Sequence, residues 1–553
     1  MLSHAKNWYR SGSPFIWLNA GAVAVAIVMT VGLLVLIAAR GLGHFWPADV
    51  YAFEYRDGEQ TVQLAGELVE SELVPAAQLR SAGLAVADGE TELRRYLLKT
   101  GNRDVVGLDF RWVLEPNMLE RQRPADLLVL ERREWGNFYG YLLEVREAGQ
   151  AVASGPAARA ELFARLRRVS ALFERIDEIQ RGDIGSVNYQ LERLRLRERE
   201  LALSGDNDPA RLADIAAERA ALQRDYAGME QSLQALFSEA RRDSLLLRTA
   251  AGREVELPMA KLVEAWYPND MDTFDKSLFY MHKLWSFLSD EPREANTEGG
   301  IFPAIFGTVM MVLLMSVVVT PFGVVAAVYL REYARQGTLT RLVRIAVNNL
   351  AGVPSIVYGV FGLGFFVYFL GGNIDELFYQ AARPAPTFGT PGLLWASLTL
   401  ALLTVPVVIV ATEEGLSRIP KSIREGSLAL GATKAETLWR TVLPMASPAI
   451  MTGLILAIAR AAGEVAPLML VGVVKLAPSL PLDGNFPYLH MERKFMHLGF
   501  HIYDVGFQSP NVEAARPLVY ATALLLVLVI ILLNLAAIAI RNRLREKYKS
   551  LEN

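Results

Sequence analysis

Arg460 and Glu464 stand four residues apart in the otherwise apolar run ILAIARAAGEVAPL. A helix would put both on one face. A guanidinium in such surroundings is costly unless it faces a protein or water-filled interior and has a partner. Its fork of donors matches a tetrahedral oxyanion, and a carboxylate one turn away can hold that fork between substrate molecules. The other reading is an intrahelical ion pair that only fixes packing. Before the pair, the polar stretch TEEGLSRIPKSIREGSLALGATKAETLWRTVLP (412–444) separates two apolar ones. Helix-compatible Ser422–Leu430 and Lys434–Val442 flank Gly431, which can take positive φ, and Leu443-Pro444 reads as a stop before the next apolar run. Two short helices at such an angle make a protruding elbow suited to docking on a soluble partner. The alternative is an ordinary surface loop.

The elements that must carry these residues follow from hydropathy. The 553 residues are 52% hydrophobic yet 21% charged, which demands two regimes, one membrane-embedded and one water-exposed. Apolar runs at about 15–39, 301–330, 345–370, 391–411, 446–474 and 517–540 are each long enough to cross a hydrocarbon core of roughly 30 Å. The first follows Lys6 and Arg10; it reads as a retained anchor, since a signal peptide would have a shorter apolar region and a small-residue cleavage site. Arg460 falls about 16 residues beyond Pro444, or roughly 24 Å along a helix, near or past mid-membrane. Segments 331–344, 412–442 and 541–553 are rich in Arg and Lys, including Lys547 and Lys549, while 371–390 holds only Arg383. Positive residues stay on the cytoplasmic side, so both termini are expected in the cytoplasm and the 45–299 insert outside it, in the periplasm of a Gram-negative cell.

The insert carries 33 Lys+Arg against 45 Asp+Glu, a net −12, and the rest of the chain a net +9. Hairpins are expected around Arg56-Asp57-Gly58 and Gly252-Arg253, with further strands in VVGLDFRWVL, ADLLVLERREW and GYLLEVREAG. Between them Leu162, Leu166, Val169, Phe173 and Ile176, then Leu212, Ile215, Leu222, Tyr226, Met229, Leu233 and Leu236, recur at three- and four-residue spacing. Gly205 to Pro209, with Asn207, breaks the two runs. This predicts an antiparallel helical hairpin at about 157–243 above a β-rich base, with Arg219 interrupting the apolar stripe. The alternating charges of 191–200 read as a solvated face rather than a nucleic-acid patch.

Other candidates rank lower. Thr308 and Ser355 could line a path, and Pro354 could bend a span and free backbone groups, or simply kink it. Glu413 and Glu414 fit the cytoplasmic membrane edge. His497 and His501 lack an evident third ligand, so no metal is expected. Cysteine is absent, which removes disulfides and thiol chemistry. No Gly-Lys dipeptide occurs, so no GxxxxGK[ST] phosphate loop exists and any ATP must be hydrolysed by another polypeptide.

REGSLALGATKAETLWRTVLP resembles the coupling loop of ABC-importer permeases, in which an acidic-small-small triplet, a glycine four positions on and a distal Leu-Pro form the helix that enters a groove of the ATPase. By position these are Glu425-Gly426-Ser427, Gly431 and Leu443-Pro444, with Leu430 and Ala432 beside the glycine. Gly426 and Ser427 replace the usual Ala-Ala, and Gly426 weakens its helix by about 1 kcal/mol relative to Ala. With GIFPAIFGT (300–308), LAGVPSIVYGVFG (350–362), LLTVPVVIVATEEGL (402–416) and ARAAGEVAPL (459–468), the region 300–545 resembles the PstA subunit of phosphate-specific ABC importers. The last motif usually reads Gly-Glu-Thr, so Val465 removes a hydroxyl.

The resemblance, which leaves the 45–299 insert outside it, implies the type I ABC importer permease class; with the six apolar runs and the patterning of the insert, the expected fold is a polytopic α-helical membrane protein of six transmembrane helices with a mixed α/β periplasmic domain. Residues 1–44 would be the cytoplasmic tail and first span, 45–299 the insert, and 300–553 the permease domain. Implied partners are a PstC-like second permease, PstB-like ATPase subunits, a PstS-like phosphate-binding protein and membrane lipid, with no nucleic acid. This chain would be a non-catalytic subunit binding no cofactor, while ATP and Mg belong to the ATPase. The implied path residues are Arg460, Glu464, Thr308 and Ser355. A permease for sulfate or molybdate, or a membrane-anchored sensor working through the insert, are the alternatives. The negative insert would repel free phosphate, which favours a docking role over an anion trap.

Overall fold

The computed structural model describes residues 11–58, 60–81, 90–206, 208–293, 296, 298–509 and 512–548. Lys6, Arg10, Asn207 and Lys549 lie outside the described residues. Helix α1 (Ser13–Gly43) is strongly apolar as far as Arg40 in its last turn, and the chain enters the insert at Phe45. The insert begins with a five-stranded antiparallel sheet of β1 (Val50–Asp57), β2 (Gln60–Pro75), β3 (Glu92–Lys99), β4 (Phe110–Leu114) and β5 (Met118–Gln122), in the order β4-β3-β2-β1-β5. The expected turn is present, with Asp57 opposite Gln60. Only the second half of VVGLDFRWVL is strand. Arg103–Val106 forms a helical turn because Asn102 is left-handed, its side chain bonded to the Tyr139 backbone at 2.9 Å through both amide atoms.

A second sheet contains β6 (Leu128–Arg132), β7 (Phe138–Glu147) and β8 (Gln150–Ser154). After the helices it resumes with β9 (Asp243–Arg248), β10 (Glu254–Pro258) and β11 (Leu262–Trp266), in the order β10-β9-β7-β6-β11 with β8 beside β7. Between β8 and β9, α2 (Pro156–Asp177) runs through a π turn at Glu178–Asp183 into α3 (Ile184–Ser204), and α4 (Pro209–Ala240) returns. The apolar stripe of α2 is used as its spacing predicts: Leu162, Leu166 and Val169 are buried on the second sheet, and Ile176 and Ile179 meet Leu233. The α4 stripe is less fully used. Leu212 and Tyr226 remain exposed, because two helices alone cannot enclose a seam. Arg219, in that stripe, pairs with Glu198 of α3.

Helix α5 (Thr273–Ser289) leads from the insert to α6 (Phe302–Val328), which continues through a π turn to Tyr333. Then come α7 (Thr338–Leu350), α8 (Ser355–Phe378), α9 (Leu393–Arg418), α10 (Lys421–Ala429), α11 (Lys434–Gly463), α12 (Leu468–Val471), α13 (Leu498–Tyr503) and α14 (Val512–Tyr548). Among the described residues six helices, α1, α6, α8, α9, α11 and α14, are long and apolar enough to cross a membrane. The most buried is α9, packed by Leu400, Leu403 and Val408 against Met311, Met315 and Val319 of α6 and Ala457 and Ala461 of α11.

Two sequence expectations fail here. The span expected from 345 starts at Ser355; before it lies amphipathic α7, and Pro354 caps α8 with an extended backbone (ψ 133°) instead of bending a span. A helix cannot easily run through the residue preceding proline. The span expected to reach 474 ends at Gly463.

Candidate functional site

The elbow is built by local rules. Helix α10 ends at Ala429, and Gly431 takes φ +91°, a conformation closed to most side chains. Thr433 then caps α11 in a reciprocal box with Glu436. Leu443-Pro444 does not terminate anything. Pro444 has no N–H to offer the Arg440 carbonyl, and a π turn at Leu438–Val442 carries the helix past it, so the second elbow helix and the span are one rod. Helix α10 meets that rod across the Gly431 bend.

Tethers hold the elbow to the bundle. Arg424 donates to the Ile419 carbonyl at 2.7 Å and to the Leu416 carbonyl and Glu332 at 2.8 Å. Lys434 donates to the Glu332 carbonyl and lies over the Tyr333 ring. Ser427 and Thr437 share a 2.9 Å hydrogen bond across the bend. Glu425 and Gly426 are exposed, and Ser427, Leu430, Gly431 and Ala432 line an open notch of about 350 Å³ with Glu436, Arg440 and Thr441. Leu430 is 91% exposed and Trp439 77%. Glu413 pairs with Arg344 at 3.2 Å, and Glu414 with Arg418 at 3.8 Å.

Arg460 occupies the last turn of α11, but Glu464 is the residue just past its end, with extended backbone (φ −80°, ψ 134°). The two do not share a helix face as their spacing suggests; the contact is a loose 3.6 Å pair between Arg460 Nε and a Glu464 carboxylate oxygen. Both side chains are half-buried. Helix α8 approaches the stretch after α11 just past its first turn: a Cβ on Gly359 would stand 2.7 Å from Pro467 Cα. Ser355, half-buried, opens α8 one turn before that contact. The structure thus brings Arg460 and Glu464 together at the end of α11, while Ser355 stands apart from that pair in the sequence of elements, at the start of α8.

Thr308 is placed differently. It is fully buried, its hydroxyl donating to the Ala304 carbonyl at 2.7 Å and accepting from the Leu498 N–H at 2.9 Å, so it ties α13 to α6 and does not line an open path. His497 caps α13 through Gly499, and His501 contacts Thr522.

Residues 319–549 match the family described as the binding-protein-dependent transport system inner membrane component. The phosphate transport system permease protein PstA 1 of Mycobacterium tuberculosis is 36% identical over 270 residues, 48% of this chain and 77% of that protein. The PstA protein of Yersinia pestis is 33% identical over 257 residues, 46% of this chain and 77% of its own length. The PstC protein of Xylella fastidiosa is 31% identical over 209 residues, covering 36% and 64%. The chain belongs to the PstA-type permeases of ABC importers. It is a multi-pass membrane protein.

In this permease Val465 is not a vacant substitution. Its methyl packs against Gly499, where an added Cβ would stand 2.6 Å away, so the position is filled by a contact to α13. The sequence reading missed the loop of the permease between α12 and α13. His490 is buried between Asp483 at 3.0 Å and Glu492 at 3.2 Å, and Arg493 reaches Asp483 at 2.7 Å. Burial opposes the Asp483 charge, but the Asn485 N–H, Arg493 and His490 outweigh it and hold the carboxyl at about 2. The insert rests on this loop: Tyr189 donates to the Phe486 carbonyl, Ser186 to the Asn485 side chain at 3.3 Å, and Tyr189 meets the His490 ring edge-on. The signal available was the polar cluster in segment 476–516; nothing local named its partner.

Proposed function

We propose that the chain is the PstA-type half of an inorganic phosphate importer in a bacterial inner membrane, with both termini cytoplasmic and the 45–299 insert periplasmic. A PstC-like permease would complete the path, PstB-like ATPases would dock on the elbow, and a PstS-like protein would deliver phosphate. ATP and Mg act on the ATPase subunits. The observation that carries this reading is the Arg460 guanidinium in the last turn of α11, held loosely by a 3.6 Å contact to Glu464. A phosphate arriving at the end of α11 would take over the guanidinium donors, with Glu464 restoring the pair on departure and Ser355 a further path residue. The continuous rod from the second elbow helix to Arg460 would convert closure of the ATPase pair into movement of that end. Similarity to two phosphate permeases at 33–36% identity supports the substrate.

The test is R460Q with uptake of radiolabelled phosphate and co-purification of the ATPase measured on the same preparation. Uptake should fall to background while the ATPase stays bound. Normal phosphate uptake by the assembled variant overturns the assignment, and loss of sulfate or molybdate uptake in place of phosphate transfers it to another oxyanion.

A further inference from the structure

Helix α5, TFDKSLFYMHKLWSFLS, joins the insert to the first span of the permease core. Its inner face is fully occupied. Phe287 is buried against Phe45 at the end of α1, with ring centroids 5.0 Å apart, and Leu284 and Leu288 pack on the tops of α6 and α14. Lys276 pairs with Asp49 at 2.5 Å, Lys283 with Glu131 and Glu264, and Phe279 packs against Trp266. The outer face is different. Phe274, Leu278, Met281 and Trp285, spaced four, three and four residues apart, form a single stripe and are 56–69% exposed.

The helix that carries the stripe sits at the ends of two apolar spans. Phe45 and Ile301, the residues at the ends of α1 and α6, belong to the same apolar cluster as the inner face of α5, which sets the helix level with the ends of two spans. Trp46, 43% exposed just past α1, lies 6.1 Å from the Tyr280 ring of α5. Trp and Tyr gather at the boundary between hydrocarbon and headgroups, where an apolar ring body and a polar tip are both satisfied. Exposed Asp275, His282 and Ser289 edge the stripe on one side, and Leu284 and Leu288, packed on the spans, edge it on the other.

We infer that α5 is an interfacial membrane helix, with Phe274, Leu278, Met281 and Trp285 seated among the lipid headgroups and upper acyl chains of the outer leaflet. It anchors the insert at a fixed height above the spans. The inference concerns lipid contact alone and stands or falls separately from the identity of the transported anion.

The absence of cysteine makes a clean test possible. M281C and H282C, each spin-labelled in the full chain in phosphatidylethanolamine–phosphatidylglycerol nanodiscs, are compared by collision with oxygen and with a water-soluble nickel chelate. The 281 label should give an oxygen-to-nickel collision ratio several-fold above that at 282, and W285 fluorescence, read in a variant with the other tryptophans near α5 replaced by phenylalanine, should be quenched by lipids brominated high on the acyl chain. Nickel access at 281 equal to that at 282 would overturn the inference by placing the stripe in water. Shielding of 281 from both reagents would overturn it by placing a second polypeptide there.

Discussion

In the bundle, a Cβ on Gly453 of α11 would stand 2.7 Å from the Ala411 Cβ of α9, and one on Gly323 of α6 would stand 2.6 Å from a Val408 methyl. In the insert, Asp243 lies wholly buried between Arg165, at 2.7 Å, and Arg168, while Glu131 is clasped by Lys283 and Arg293. The difference follows from the solvent. Lipid tails are as apolar as a leucine side chain, so helices in a bilayer gain cohesion from close backbone approach. In water apolar burial drives folding, and charges at the joints between layers are tolerated where they are paired. The insert therefore adds buried charge pairs, which acid can remove, to its apolar cores, while the spans pack chiefly through close backbone contacts that acid does not touch.

The largest effect expected of breaking this contrast is D243A. It leaves Arg165 and Arg168 without their buried partner and should destabilise the insert by about 3–5 kcal/mol, seen as a lowered melting transition of the insert with the helical signal of the spans retained. Next is pH. Burial pushes the Glu131 carboxyl up, but the charges of Lys283 and Arg293 outweigh it and hold it at about 2, below the ordinary 4.5. A depressed carboxyl stabilises the fold above pH 4.5 and loses that contribution as pH falls toward 2, here about 3 kcal/mol. E131Q should unfold at lower temperature at pH 7 and lose the acid dependence in that window; hydrogen exchange across β6 and α5 reads both. On the bundle side G359A forces α8 away from Pro467 and should cost about 1–3 kcal/mol with no pH dependence. The smallest effect on stability is L430S, within about 0.5 kcal/mol because the side chain is 91% exposed, while ATPase retention on a pull-down should drop. Unchanged retention would remove Leu430 from the docking surface.

How far the sequence could be read depended on the range of the interaction concerned. The elbow was legible almost to the residue: Gly431, Thr433 and Glu436 act within one turn of themselves. Arg460 was legible as an anomaly, a charge in an apolar run, but its geometry was not. The four-residue spacing to Glu464 implied a shared face, and the helix ends between them at Gly463. Thr308 read as a lower-ranked path candidate; what claims it is the Leu498 N–H, 190 residues away. The α5 stripe escaped notice because a 17-residue helix is too short to register as a span, and its inner face became distinct only when Phe45 and Ile301 arrived against it.

By itself the sequence determined the six apolar runs, the sign of the charge in each segment, the elbow and the lack of a nucleotide-binding loop, since each depends on composition or on neighbours within a turn. The tertiary structure decided the rest. It set Gly359 of α8 against Pro467, turned Thr308 inward, ran α11 unbroken through Leu443-Pro444, set the insert on the Asp483–His490 loop and left one face of α5 uncovered. Those outcomes depend on which distant surfaces meet, and contact free energy between distant segments leaves no periodicity in the chain that makes it.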